Sequence, residues 1–187
     1  MKRMIPITLI LLALLAGCKE ETADLPAPVE ITAEAAGFYC QMALIEHDGP
    51  KAQIHLDGMP APLFFSQVRD ALAYLHMPEQ SHAVTAAYVQ DMTGATWETP
   101  GAWITAQAGY FVIGSDRMGG MQAPEFVPFA TPEAAGAFAT VYGGHVRAFD
   151  DIRARDLVTP APAAPGADAD PDMADRLRRL SSTGDGS

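Results

Sequence analysis

The sequence predicts an α+β fold built from two similar strand-strand-helix-strand modules. Three observations carry this: short runs with period-2 alternation, two stretches of helical periodicity framed by start and stop signals, and the recurrence of one order in both halves. In the first half, Phe38-Tyr39-Cys40-Gln41-Met42 reads as a strand. A second strand follows at 51–57, where Ala52, Ile54 and Leu56 alternate before Asp57-Gly58 turns the chain. Ser66 offers an N-cap, and Val68, Leu72 and Leu75 recur at helical spacing until Pro78 stops the run, so the spacing predicts a helix over 67–76. Residues 83–89 then place Val84, Ala86 and Tyr88 on one face of a further strand. These elements form a first module over 37–93.

The second module, over 94–158, follows the same plan. Two apolar, partly β-branched runs at 102–107 and 110–114, separated by Ala108-Gly109, predict a hairpin. Thr131 supplies an N-cap and Pro132 the first helical position; the helix continues over 134–142 and ends at Gly143-Gly144. Residues 146–149 make the last strand. Leu63-Phe64-Phe65-Ser66 and Val127-Pro128-Phe129-Ala130-Thr131 stand in equivalent places before each helix, which reads as duplication. Two unrelated α+β stretches are the alternative.

The ends of the chain differ in composition from this middle. Lys2 and Arg3 form a basic region, an apolar stretch too short to span a bilayer follows, and Leu15-Ala16-Gly17-Cys18 resembles a bacterial lipobox. Residues 1–17 are thus expected to be a cleaved signal, with Cys18 carrying lipid that anchors the mature chain. An ordinary secretory signal that happens to contain Cys18 is the plainer reading. Lys19 stands where an Asp would signal inner-membrane retention, so sorting analogy favours the outer membrane. Residues 18–36 read as a flexible tether and 159–187 as a disordered tail, because Pro, Ala, Gly, Glu and Asp dominate both without periodicity. The formal charge of −11 over 187 residues makes nucleic acid a poor partner.

With Cys18 lipidated, Cys40 is the only remaining thiol of a protein in an oxidising compartment. Burial or a soft metal would protect it. If the segment is extended, Cys40 and Met42 project from one face. Met118 and Met121 lie in Gly114-Ser115-Asp116-Arg117-Met118-Gly119-Gly120-Met121, whose glycines let the backbone bend and which offers no packed element to absorb two large side chains. A thiolate with thioethers suits Cu(I) and suits Zn, Mg or Ca poorly. Two plainer readings stand beside this. Met42, Met59, Met77 and Met92 are ordinary core fillers, and Met118 with Met121 is a pliable surface for a protein partner. His47 follows the Cys-x-Met run closely enough to be a nitrogen donor, yet a turn histidine between Glu46 and Asp48 is ordinarily solvated. No histidine pair has zinc-site spacing, and haem-attachment, phosphate-cradle and Gly-x-Ser-x-Gly signatures are absent, so no enzyme is expected.

Cys18, the Phe38 to Met42 run, Glu46-His47-Asp48-Gly49-Pro50-Lys51-Ala52-Gln53-Ile54, Phe64-Phe65-Ser66 and Asp116-Arg117-Met118-Gly119-Gly120-Met121 occur in the order found in the nitrous oxide reductase accessory proteins, the NosL family, which the chain resembles over residues 30–156. The resemblance implies a lipid-anchored periplasmic Cu(I) chaperone. It would supply copper for the copper-sulfide centre of nitrous oxide reductase through the periplasmic component of an ABC-type maturation complex. It also implies a duplicated fold with kinship to the organomercurial lyase core. By position, Cys40 and Met42 match the family's Cys-x-Met motif, and Met118 or Met121 its Met-containing Gly-rich segment. Gln41 departs from the Gly common at that place. A metal-independent scaffold lipoprotein of the same complex remains the alternative, while lyase-like chemistry would need more thiols than Cys40 alone.

Overall fold

Alternation in β1 (Ala52–Leu56) sends Ala52, Ile54 and Leu56 into the main core. The structure, a computed structural model, describes residues 25–79 and 82–158. β1 is central in an antiparallel sheet with β2 (Leu63–Phe65), β3 (Val84–Gln90) and β4 (Trp103–Thr105), in the order β2-β1-β3-β4. α1 (Val68–Leu75) covers one face, burying Val68, Ala71 and Leu72 against Ile54 and Phe65. Each such large apolar side chain contributes about 1.5–3 kcal/mol on burial.

The opposite face is covered by chain expected to be tether. The Gln53 side chain is fully buried there; its amide accepts from Val29 N at 2.8 Å and donates to Val29 O at 2.9 Å, while Tyr88 donates its hydroxyl to Pro26 O at 2.6 Å. From Pro26 onward the chain is therefore held, because Gln53 offers the backbone the same donor and acceptor pair that a neighbouring strand would. Cys18, the signal and the tail over 159–187 lie outside the described residues.

The second sheet has the order β6-β5-β7, formed by β5 (Tyr110–Ile113), β6 (Val127–Phe129) and β7 (His145–Ala148). α2 (Pro132–Tyr142) packs on it, with Val112, Val127, Phe129 and Ala135 forming a smaller core. Phe111 and Ile113, on the other face of β5, enter the main core with Phe126 and Ile152. β5 is thus buried on both faces and joins the two sheets into one body. α3 (Ala154–Leu157) closes the described chain against α1, where Arg69 donates to Leu157 O at 2.6 Å.

Two predicted elements are corrected. The runs at 102–107 and 110–114 do not pair as a hairpin: β4 adds to the edge of β3, with Tyr88 opposite Thr105, whereas β5 pairs with β6 and β7. A 3-10 turn at Ala106–Ala108 carries the chain between the sheets, and β5 gains more by burial on both faces than a two-stranded hairpin would. The Cys-x-Met segment is a turn and no strand, so the strand preceding the first helix is β2.

Candidate metal centre

The turn around Cys40 is closed by Gly37 N donating to Met42 O at 3.0 Å and Gln41 N donating to Gly37 O at 2.8 Å. Gln41 sits at φ 56°, a left-handed conformation that glycine adopts without penalty, and its side chain donates to Phe38 O at 2.7 Å. Strand alternation therefore does not govern Cys40 and Met42. The Cys40 thiol folds inward, donating to Ser66 Oγ at 3.6 Å, and lies where a Cβ on Gly37 would come within 2.4 Å of its sulfur. Cys40 is half-buried; Met42 is exposed. Phe38 and Tyr39 anchor the turn by packing edge-on to Phe65, with ring centroids 5.9 and 5.5 Å away.

The methionine loop comes to the same place from the second half of the chain. An antiparallel bridge joins Met118 to Pro124, and Gly119 N donates to Ala123 O at 2.8 Å. Gly114 bends the chain as expected, at φ 78°, whereas Gly119 and Gly120 allow close approach: a Cβ on Gly119 would stand 2.5 Å from Glu125 Oε2, and one on Gly120 would stand 2.7 Å from His47 Cβ and 2.9 Å from Ser66 O. Met121 N donates to Gln67 Oε1 at 3.1 Å. The loop backbone thus rests on Ser66, whose hydroxyl the Cys40 thiol reaches, and on Gln67, while Met118 and Met121 remain 47% and 40% exposed. Met92 is a core filler as expected, but Met59 and Met77 are exposed, with Tyr39 donating to the Met77 sulfur at 3.6 Å.

His47 is not the solvated turn histidine that Glu46 and Asp48 suggested. Its Nδ1 lies 2.8 Å from Gly120 O, and its Nε2 is buried without a hydrogen-bond partner. A carbonyl facing Nδ1 fixes the Nδ1–H tautomer and leaves the Nε2 lone pair free, the arrangement in which imidazole serves as a metal ligand. Among the described residues no three His, Cys, Asp or Glu side chains gather around a common point, and the soft donors carried by the two segments are the Cys40 thiol and the Met42, Met118 and Met121 thioethers.

Sequence reasoning missed the residues that hold these groups together. Ser66 does not cap α1; the cap position is Gln67, and the helix N-terminus is closed by Glu125, whose carboxylate accepts from Val68 N at 3.2 Å and Arg69 N at 3.0 Å. Glu125 is fully buried and also accepts from Phe126 N at 2.8 Å. Burial pushes its carboxyl up to about 8, against the pull of those three backbone donors. Lys51, also buried, donates to Gly49 O and is lowered to about 8 by burial, with Glu125 and Asp48 acting in the opposite sense. The only linear signal for Glu125 is a carboxylate at the edge of the apolar run 126–129 with no local partner.

A profile of the NosL family matches residues 28–157. The chain is 51% identical to the copper-binding lipoprotein NosL of Achromobacter cycloclastes over 175 residues, 90% of each chain. It is 32% identical to that of Stutzerimonas stutzeri, over 74% of this chain and 73% of the relative. The crystal structure of the copper chaperone NosL from Shewanella denitrificans superposes with a TM-score of 0.63 at 30% identity, covering 67% of this chain and 95% of that one. With the profile spanning both sheets and the loops between them, the chain belongs to the NosL family.

Proposed function

We propose that this protein is a lipid-anchored Cu(I) chaperone of the periplasm, held to the membrane through Cys18 with the outer membrane favoured. It supplies copper for the copper-sulfide centre of nitrous oxide reductase by way of the periplasmic subunit of an ABC-type maturation complex. The names of its relatives support copper as the cargo. The observation that carries the reading is the meeting of the Cys40 turn and the 118–121 loop on the Ser66-Gln67 segment, with His47, its Nε2 unpartnered, held against Gly120 of that loop.

In this reading Cys40 loses its proton to solvent and supplies the thiolate that neutralises Cu(I). Met42, Met118 and Met121 provide exchangeable thioethers, and His47 Nε2 is the nitrogen donor. Thioethers that stay partly exposed let an acceptor's donors enter as this protein's leave, so the ion moves by stepwise ligand exchange without being set free. No redox change is required.

The test is an anaerobic Cu(I) titration against a chromophoric chelator. Cys40→Ala is expected to weaken binding by about 100-fold or more, beyond the 10–100-fold that loss of a supporting group costs. Binding as tight as that of the unaltered protein would overturn the assignment. X-ray absorption of the loaded protein counts sulfur and nitrogen neighbours directly. The exposed apolar side chains of Phe38, Tyr39, Met42 and Ile45 also favour a scaffold that docks without copper. Capture of the maturation complex that persists in Cys40→Ser and in the presence of a Cu(I) chelator would select that reading.

A further inference from the structure

We propose that Trp97, Arg117 and Tyr142 form a brace that sets the His47 turn against the 118–121 loop, making Arg117 a positioning residue for the copper site; this rests on the reading of that site given above. The Arg117 guanidinium lies 4.1 Å from the ring centroid of Tyr142 and 5.7 Å from that of Trp97. Its ion pair with Asp116 is long and wet: Oδ1 lies 3.8 Å from Nε, that carboxylate is largely exposed, and the buried Nε has no hydrogen-bond partner. The aromatic faces therefore set where this side chain lies.

Both ends of the brace reach the candidate site. Arg117 immediately precedes Met118, and its carbonyl accepts from Glu125 N at 3.1 Å, so a displaced Arg117 carries the start of the methionine loop with it. On the other side the Trp97 indole stands against Gly49, where a Cβ would come within 2.9 Å of the ring, and Gly49 N donates to Trp97 O at 2.7 Å. Gly49 is two residues from His47, in the same turn. The brace is rooted in the second sheet: Tyr142 O accepts from Asp116 N at 3.0 Å, and Tyr142 packs on Phe138 (4.5 Å), which packs on Phe129 (5.1 Å). One chain of contacts thus runs from α2 through Arg117 and Trp97 to the turn that carries His47. The spacing it enforces lets Gly120 O face His47 Nδ1 and leaves Nε2 as the free donor.

Arg117→Met keeps the aliphatic stem and removes the cation; Arg117→Lys keeps a cation over the rings. In the apo protein with a neutral ring, ¹⁵N NMR of His47 is expected to report the Nδ1–H tautomer, and Arg117→Met to shift it toward a mixture while the thermal midpoint moves little. Cu(I) affinity in Arg117→Met is expected to fall about 10-fold, with Arg117→Lys restoring most of it. Should Arg117→Met fail to fold, Tyr142→Leu removes one face of the brace and is read the same way. An unchanged His47 signature, or an altered signature with unaltered affinity, overturns the proposal. If the unaltered protein itself binds no Cu(I), the chaperone reading falls, and the apo His47 signature alone decides whether the brace exists.

Discussion

The two longer helices each follow a short strand at the edge of its sheet, yet they begin in opposite ways. α2 is capped from within its own sequence: Thr131 Oγ1 accepts from Ala134 N at 3.2 Å, and Pro132 occupies the first turn. α1 has no local side-chain cap, and Glu125, more than fifty residues away, takes its first amides. A local cap makes a helix start independent of the rest of the fold. A remote one makes the start conditional on the second half of the chain being in place, and the conditional start is the one beside Cys40, Gln67 and the methionine loop.

The sharpest way to break this contrast is Glu125→Ala. It leaves buried amides without acceptors and opens a cavity, and is expected to cost about 3 kcal/mol in chemical denaturation. It should also weaken Cu(I) binding, since Gly119 rests on Glu125 and Met121 N on Gln67. Full Cu(I) affinity in this variant would show that the remote cap is irrelevant to the site.

Next in size is the pH dependence of apo stability. Glu125 keeps its proton to about 8 when folded and releases it near 4.5 when unfolded, so its contribution is complete below 4.5 and is lost as pH rises to about 8. Lys51, lowered from 10.5 to about 8, contributes fully above 10.5 and loses that contribution as pH falls toward 8. The groups facing them, Asp70 near Glu125 and Asp48 near Lys51, raise both. A stability minimum is therefore expected near pH 8. Glu125→Gln should flatten the acid limb and keep the alkaline limb, slightly steepened because Lys51 loses the Glu125 charge that acts against its lowering, as measured by urea midpoints across pH. An unaltered acid limb would rule Glu125 out as its source.

The smallest effect belongs to the local cap. Thr131→Ala should cost about 1 kcal/mol and leave Cu(I) affinity unchanged. A loss of affinity comparable to that of Glu125→Ala would erase the distinction between the two helix starts.

The same contrast explains what could be read in advance. The start of α2 at Thr131 and Pro132, its end at Gly143 and the alternation of β1 rest on neighbours within a few residues, and a linear pattern reports them; in β3 a register shift opposite His55 and Leu56 turns Val84 to the core face with Ala87 and Val89, away from the Ala86 and Tyr88 it was expected to join. The hairpin misassignment at 102–114 arose because two adjacent apolar runs look the same whether they pair with each other or with separate sheets. At the candidate site, Cys40, Met42, Met118 and Met121 stood out by chemistry, since an odd thiol and loop thioethers are conspicuous wherever they fold. His47 was visible only as a candidate, because what distinguishes it is a carbonyl seventy-three residues away. Gln67 and Arg117 had no linear signal that set them apart from ordinary polar residues, and Glu125 had only its place at the edge of the apolar run 126–129.

By itself the sequence determined the class of the fold, the family and the kinds of donor atom on offer, because these depend on periodicity, capping chemistry and the softness of sulfur. The tertiary structure alone decided that the Cys40 segment turns instead of extending, that β4 and β5 belong to different sheets, that the buried Glu125 closes the start of α1 from the second half of the chain, and that the Arg117 guanidinium lies over Tyr142 and Trp97. Those features depend on which distant groups lose water together, and desolvation in a packed interior is a property of the assembled chain that no local pattern carries.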